Sequence, residues 1–178
     1  LSIYLKKKCS EIINIHIQNP KVSIKKFSYI VAPNHDDYKG ANVINSIGAL
    51  HNFKIKEDNK SKFHSNNTNL ITCIIGGENN HYRFSKNEAD ILCNKILELK
   101  KLNSELKFLI ITSRRTSNEI KNLFYSRLKL IAKLWLGKGN NPYQYALYNS
   151  KIFIITSDST SMISEASISG MPIYIHHL

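Results

Sequence analysis

From about Leu70 onward the chain alternates short unbroken apolar runs with stretches in which apolar residues recur every third or fourth position. The first pattern suits strands buried on both faces, and the second suits helices with one face in a core. Leu70–Ile75 reads as a strand ending at Gly76-Gly77. Ser85 and Glu88 form a capping-box signal for a helix to about Leu102, whose apolar face carries Ile91, Leu92, Ile96, Leu99 and Leu102. Lys107–Thr112 is the next strand, and Thr116 with Glu119 is the expected cap of a helix through about Leu128. A strand over 131–136, a loop over 137–141 and a short helix with Pro142 at its first position follow. Lys151–Thr156 is a fourth strand. A helix from Thr160 to about Ser169 then ends at Gly170 and Pro172, ahead of a fifth strand over Ile173–Ile175. Strands and helices in strict alternation with short connections predict an α/β fold: a doubly wound, Rossmann-like parallel sheet with right-handed crossovers.

The first sixty or so residues are patterned differently. Residues 11–17 and 27–32 read as two strands, and the residues before Cys9 as a helix remnant. Residues 33–50 are polar and glycine-containing before turning apolar, and 54–69 are rich in Lys, Asn and Ser, as a linker would be. The expected organisation is therefore the tail of one α/β domain plus linker over 1–60, and a Rossmann-like domain over 61–178, incomplete at its C-terminus. Both ends are expected to lie inside a longer protein.

Composition narrows this picture little. Apolar residues make up 42% of the 178, enough for a real core, and no apolar run approaches the length of a membrane span. The formal net charge of +12 comes mostly from Lys scattered along the chain, without any zinc-finger, RNP or helix-turn-helix pattern. No nucleic-acid partner is expected, and anionic lipid or polyphosphate stays open as a secondary attraction. Cys9, Cys73 and Cys93 have no paired spacing, which predicts reduced, mostly buried thiols. The histidines show no metal spacing, so no structural metal and no bound cofactor are expected. The expected location is cytoplasmic, with peripheral membrane association left open.

The candidate chemistry follows from the fold. In an open parallel sheet, ligands bind beyond the carboxyl ends of the strands where strand order reverses. Here that crevice should lie between strands 70–75 and 151–156. The following loops carry Gly76 and Gly77, which allow close backbone approach, and the hydroxyl-rich Ser159, Thr160 and Ser161 at a helix start, which suits an anion. Either loop also reads as an ordinary turn or cap. Ser113, Arg114 and Arg115 close the second strand, and paired guanidiniums there suit a phosphate or diphosphate. Glu165, a turn inside the last helix, could accept hydrogen bonds from ribose hydroxyls. Gly137-x-Gly139 mimics a dinucleotide fingerprint, but it does not follow the first strand, and a classical NAD fold is the poorer reading. In the first part, His35 beside Asp36 after a strand suits acid–base work or a capped turn.

Several motifs stand in one order: Pro33-x-His-Asp-x-x-x-Gly-x-Asn-Val43, Ile47-Gly-Ala-Leu-His51, Ile75-Gly-Gly77, Thr112-Ser-Arg-Arg-Thr116, Gly139-x-Asn141-Pro-Tyr143, Thr156-x-Asp-Ser-x-Ser-Met162-x-Ser-Glu-Ala166 and Gly170-x-Pro-Ile-Tyr174. Together they resemble the mitochondrial fission (elongated-mitochondria) family. The resemblance implies a two-domain fold of the glycosyltransferase-B (GT-B) type and a metal-independent glycosyltransferase-like protein that binds a nucleotide-diphosphate sugar as co-substrate. It carries diphosphate- and ribose-binding roles over to Ser159, Thr160, Ser161 and Glu165, and the full expected substrate-binding set adds Gly76, Gly77, Ser113, Arg114, Arg115, Asn141 and Met162. Asp36 or His35 would act as base toward an unknown acceptor, across an interdomain cleft. Asn34 stands where the family pattern has a basic residue. Two alternatives remain: an adaptor that kept a transferase-like fold and acts in membrane fission, and, less favoured, a nucleotide-sugar epimerase.

Overall fold

The computed structural model describes residues 1–54 and 69–178, which fall into two compact units, Leu1–Asn52 and Phe53–Leu178. Most of the linker expected over 54–69 lies outside the described residues.

Unit 2 is the doubly wound sheet. Its strands are β4 (Leu70–Ile75), β5 (Lys107–Thr112), β6 (Ala132–Trp135), β7 (Ile152–Thr156) and β8 (Ile173–His176), all parallel in the order β6-β5-β4-β7-β8. Strand order thus reverses between β4 and β7, where the sequence placed the crevice. All six residues of β4 are buried because it is the central strand, flanked by β5 and β7 and covered on both faces. An unbroken apolar run is the sequence form of that position.

Helices α2 (Lys86–Leu102) and α3 (Asn118–Leu128) pack together on one face. Leu92, Ile96, Phe124 and Leu128 meet Ile71, Cys73, Ile75 and Ile110 there. Helices α4 (Tyr143–Asn149) and α5 (Thr160–Ser167) supply Leu147 and Ala166 to the opposite face, against Ile74, Phe153 and Ile155. The α2 cap is the predicted capping box, with Ser85 and Glu88 bonded reciprocally. The α3 cap differs from expectation: Ser117, not Thr116, receives the Ile120 N–H. Thr116 is buried instead, its hydroxyl set between the carbonyls of Ile75 and Gly76 while accepting from the Ser113 N–H at 3.0 Å. Tertiary demand at the end of β4 outcompeted the local cap. Pro142 likewise sits one place earlier than expected, as the residue before α4, where its carbonyl accepts from Ala146 N–H at 2.8 Å.

Unit 1 contains α1 (Ser2–Lys8) and a parallel three-stranded sheet, β1 (Ile15–Ile17), β2 (Tyr29–Pro33) and β3 (Val43–Ser46), in that order. β1 is shorter than predicted. β3 was not predicted, because Val-Ile-Asn-Ser has neither an apolar run nor a clean alternation. Buried Phe27, Ile30 and Ala32 form its core. Asn42, in the family motif, ties that core down by donating to the carbonyls of Ile24 and Phe27 at 2.9 and 3.0 Å.

Cys73 and Cys93 are buried in the main core, while Cys9 is exposed; all three are free thiols. Burial pushes the Cys93 thiol up to about 11, with Arg127 opposing the rise and Asp90 adding to it. Among the described residues no helix is long and apolar enough to cross a membrane, and no group of three or more His, Cys, Asp or Glu could hold a metal ion.

Candidate functional site

The register levels the carboxyl ends of the central strands: Ile75 lies opposite Thr112, and Ile74 opposite Ile155. The loops that follow β4, β5 and β7 therefore start at one edge of the sheet, at the point where helices change faces. Parallel strands also point their last carbonyls this way and the first N–H groups of the following helices, so the edge has donors to offer an anion.

A cavity of about 360 Å³ opens here. Ser113 and Arg114 from the β5 loop, Asn141 ahead of α4, and Met162 and Glu165 from α5 line it. These are five of the residues the sequence singled out, brought together from three separate loops and helices. Arg114 is exposed, and among the described residues no carboxylate pairs with it. Glu165 is half-buried and accepts a 2.7 Å hydrogen bond from the Tyr143 hydroxyl through Oε2. Among the described residues no other group bonds its carboxylate, which leaves an acceptor oxygen for a ligand. Burial, with the hydrogen bond to Glu165 second, raises the Tyr143 phenol well above its usual range. Tyr143 therefore stays a donor at neutral pH and fixes Glu165 as an acceptor.

Three aromatic residues line the cavity that sequence reasoning did not assign: Phe53, Trp135 and Tyr143. The rings of Phe53 and Tyr143 lie 5.6 Å apart and tilted. A signal existed for two of them, since Trp135 ends a strand at the ligand edge and Tyr143 closes the Gly-x-Asn-Pro-Tyr motif. Asn141 has a second task, accepting the Tyr143 N–H at 3.0 Å and so starting α4.

Gly76, Gly77 and Arg115 gather around a different centre, the fully buried carboxylate of Asp158, and Ser159, Thr160 and Ser161 lie at the start of α5 outside the cavity lining. Asp158 Oδ2 accepts from the Gly77 N–H at 3.1 Å and from Arg115 Nη2 at 2.6 Å, and Oδ1 accepts from the Thr156 hydroxyl at 2.6 Å. That hydroxyl in turn accepts from the Gly76 N–H at 2.8 Å. A Cβ on Gly76 would fall on the Asp158 carboxylate, and one on Gly77 on the Arg115 backbone carbonyl. The expected close approach at the two glycines is thus taken up by two other loops of the same protein, those after β7 and β5. Arg115 is similarly engaged, which leaves Arg114 as the guanidinium that lines the cavity. Ser159 caps α5, receiving the Met162 N–H at 3.5 Å, while Thr160 and Ser161 are exposed in its first turn. Asp158 was legible only as part of a motif, because nothing in Thr-Ser-Asp-Ser distinguishes a buried hub from an exposed cap.

His35 and Asp36 lie in unit 1, on a tight turn over Asn34–Asp36 just after β2. His35 Nε2 stands 3.7 Å from Asp36 Oδ1, and both side chains are partly exposed.

The model of the family described as mitochondrial fission ELM1 matches residues 1–178. The chain belongs to that family. Curated relatives agree: it is 29% identical to the uncharacterized protein RP120 of Rickettsia prowazekii (strain Madrid E), across 99% of this chain and 61% of that protein. It is 23% identical to the mitochondrial fission protein ELM1 of Arabidopsis thaliana, across 90% of this chain and 44% of that protein. This family member therefore spans about half the length of the curated relatives it matches. Among solved structures, the UDP-GlcNAc 2-epimerase of Neisseria meningitidis bound to UDP-GlcNAc superposes with a TM-score of 0.54 at 17% identity, over 85% of this chain and 45% of that one. The S. aureus MnaA–UDP structure superposes with a TM-score of 0.52 at 13% identity, over 84% and 42%. At these identities the likeness establishes the fold, a Rossmann-like α/β fold of the GT-B type.

Proposed function

We propose that unit 2 binds a nucleotide-diphosphate sugar and that the whole protein is glycosyltransferase-like, passing the sugar to an acceptor. The observation that carries this reading is the pairing, in one cavity over the carboxyl ends of β4, β5 and β6, of a cation with no carboxylate partner among the described residues and an oriented carboxylate. Glu165, held by Tyr143, presents an acceptor oxygen suited to the vicinal hydroxyls of a ribose. Arg114 and the first turn of α5 supply positive charge and N–H donors for the diphosphate, in keeping with the helix dipole. Preorganised cations and dipoles of this kind stabilise a leaving diphosphate without a metal. Trp135 and Tyr143 offer flat apolar surface for a base. Uridine nucleotides are the first to try, since both fold neighbours are described with UDP or a UDP-sugar. In this reading Asp36, or His35 beside it, takes the acceptor's proton.

Isothermal titration of the 178-residue chain with UDP, UDP-GlcNAc, GDP and CMP tests the proposal. One nucleotide should bind to the native chain, and Glu165→Ala and Arg114→Ala should each weaken it about tenfold or more with the circular dichroism unchanged. No heat with any of the four, from a folded sample, overturns it and returns the adaptor reading. Since one neighbour is an epimerase, the products from UDP-GlcNAc distinguish transfer from epimerisation: released UDP against a changed sugar.

A further inference from the structure

The sheet edge opposite the candidate site carries a second feature. Helix α2 ends at Leu102 and β5 begins at Lys107; α3 ends at Leu128 and β6 begins at Ala132. β5 and β6 are neighbours, with Phe108 opposite Ala132, so both corners sit side by side at the strands' amino ends. Each corner displays a leucine to solvent: Leu102 is 84% exposed and Leu130 92%. They are the most exposed large apolar residues described in unit 2. Lys101 precedes one and Lys129 the other, and Lys107 and Lys133 stand on the adjoining strands, all four exposed. Glu105 is the one carboxylate in these two corners. A groove of about 460 Å³ runs between them over Leu106, Phe108 and Ile131.

Lysines at helix C-termini are ordinary, because they offset the dipole. Lys100, in the last turn of α2, also ties the corner down by donating to the carbonyls of Ser104 and Leu106 in the connection to β5 at 2.6 and 2.7 Å. That accounts neither for Lys107 and Lys133 on the strands nor for two protruding leucines. Any residue could occupy such a solvated corner, and Leu gains nothing there unless something removes it from water. We infer that this rim docks on an anionic lipid bilayer. Leu102 and Leu130 enter the acyl boundary, and the surrounding lysines lay their stems on apolar surface while their ammonium groups meet lipid phosphates. A nucleic-acid surface would satisfy the lysines and offer no apolar depth for the leucine tips. The rim is at the opposite pole of unit 2 from the cavity, so docking leaves the cavity open to solvent. The inference does not rest on nucleotide binding.

Co-sedimentation of the 178-residue chain with vesicles tests it, comparing pure phosphatidylcholine with a mixture one-third phosphatidylglycerol. Binding is expected to the mixture alone and should fall steeply as salt rises from about 0.1 M to about 0.5 M. Leu102→Ser with Leu130→Ser, and separately Lys129→Glu with Lys133→Glu, should each weaken it roughly tenfold or more. Lys25→Glu with Lys26→Glu, the same charge change in unit 1, should leave it within about twofold. Circular dichroism checks each fold, and leucines this exposed can be replaced without opening the core. Three results would overturn the inference: no binding to anionic vesicles, equal loss from the two charge reversals, or indifference to the leucine pair. Displacement from vesicles by RNA that the leucine variant binds unchanged would reassign the rim to nucleic acid.

Discussion

Asp158 Oδ2 and Arg115 Nη2 stand 2.6 Å apart, joining the loop after β7 to the loop after β5 across the end of β4. The carboxylate is fully buried, whereas the guanidinium is 40% exposed. This asymmetry matters, because a buried charge that loses its partner is far more costly than a surface one. Arg115→Ala should therefore destabilise unit 2 by about 3 kcal/mol. Asp158→Ala should cost about 2–3 kcal/mol, since Arg115 regains water while the Gly77 N–H and the Thr156 hydroxyl lose their acceptor. Shifts in the urea midpoint, with the slope unchanged, check both.

Gly76→Ala places a methyl group against the Asp158 carboxylate, and Gly77→Ala places one against the Arg115 carbonyl. Neither neighbour can yield easily, one being a buried ion-paired group and the other backbone. Each substitution should destabilise by about 2 kcal/mol or more. Gly139→Ala is the comparison: space there is open and only its positive φ of 76° penalises a side chain. It should cost about 1 kcal/mol.

Tyr143→Phe removes the donor to Glu165 and leaves the ring packing in place. Stability should fall by only about 1 kcal/mol. Nucleotide affinity should drop several-fold, on the order of half the logarithmic effect of Glu165→Ala, because the carboxylate is retained but no longer fixed. Titrating both variants and the double variant reads the coupling. Additive losses would mean that Tyr143 acts independently of Glu165.

His176 gives unit 2 a pH dependence. Its imidazole is buried, Nε2 has no hydrogen-bond partner among the described residues, and burial followed by the Lys95 charge holds it below the 6.5 of a free histidine. The backbone and carboxylate of Glu88 pull the other way, and His177 adds to the depression. The unfolded chain therefore binds this proton more readily than the folded one, so stability is full above about pH 6.5 and declines as pH falls below it. Urea midpoints between about pH 7.5 and about pH 5 should fall more steeply for the native chain than for His176→Asn. Equal slopes would show that His176 does not carry the effect.

How far the sequence reached depends on the kind of interaction involved. The strands and helices of unit 2 were legible because buried parallel strands leave unbroken apolar runs that alternate with amphipathic helices. The switch point between β4 and β7 followed from taking the order usual for such a fold. β3 was not, since a short strand of mixed polarity has no periodicity to read. The site divides in the same way. Residue type and position pointed to Arg114 at a strand end and to Glu165 a turn inside the last helix, but nothing local marked Tyr143 as Glu165's partner.

Sequence by itself thus carried the family's motifs and the alternation of strands and helices, because each is written in runs of neighbouring residues. Tertiary structure decided the rest. It turned Gly76, Gly77 and Arg115 inward around Asp158, left Arg114 facing the cavity, moved Thr116 from helix cap to buried tie, and set two leucines in one basic rim. Those outcomes depend on which distant loops meet, and residues forty or eighty positions apart in the chain carry no local signal of their contact.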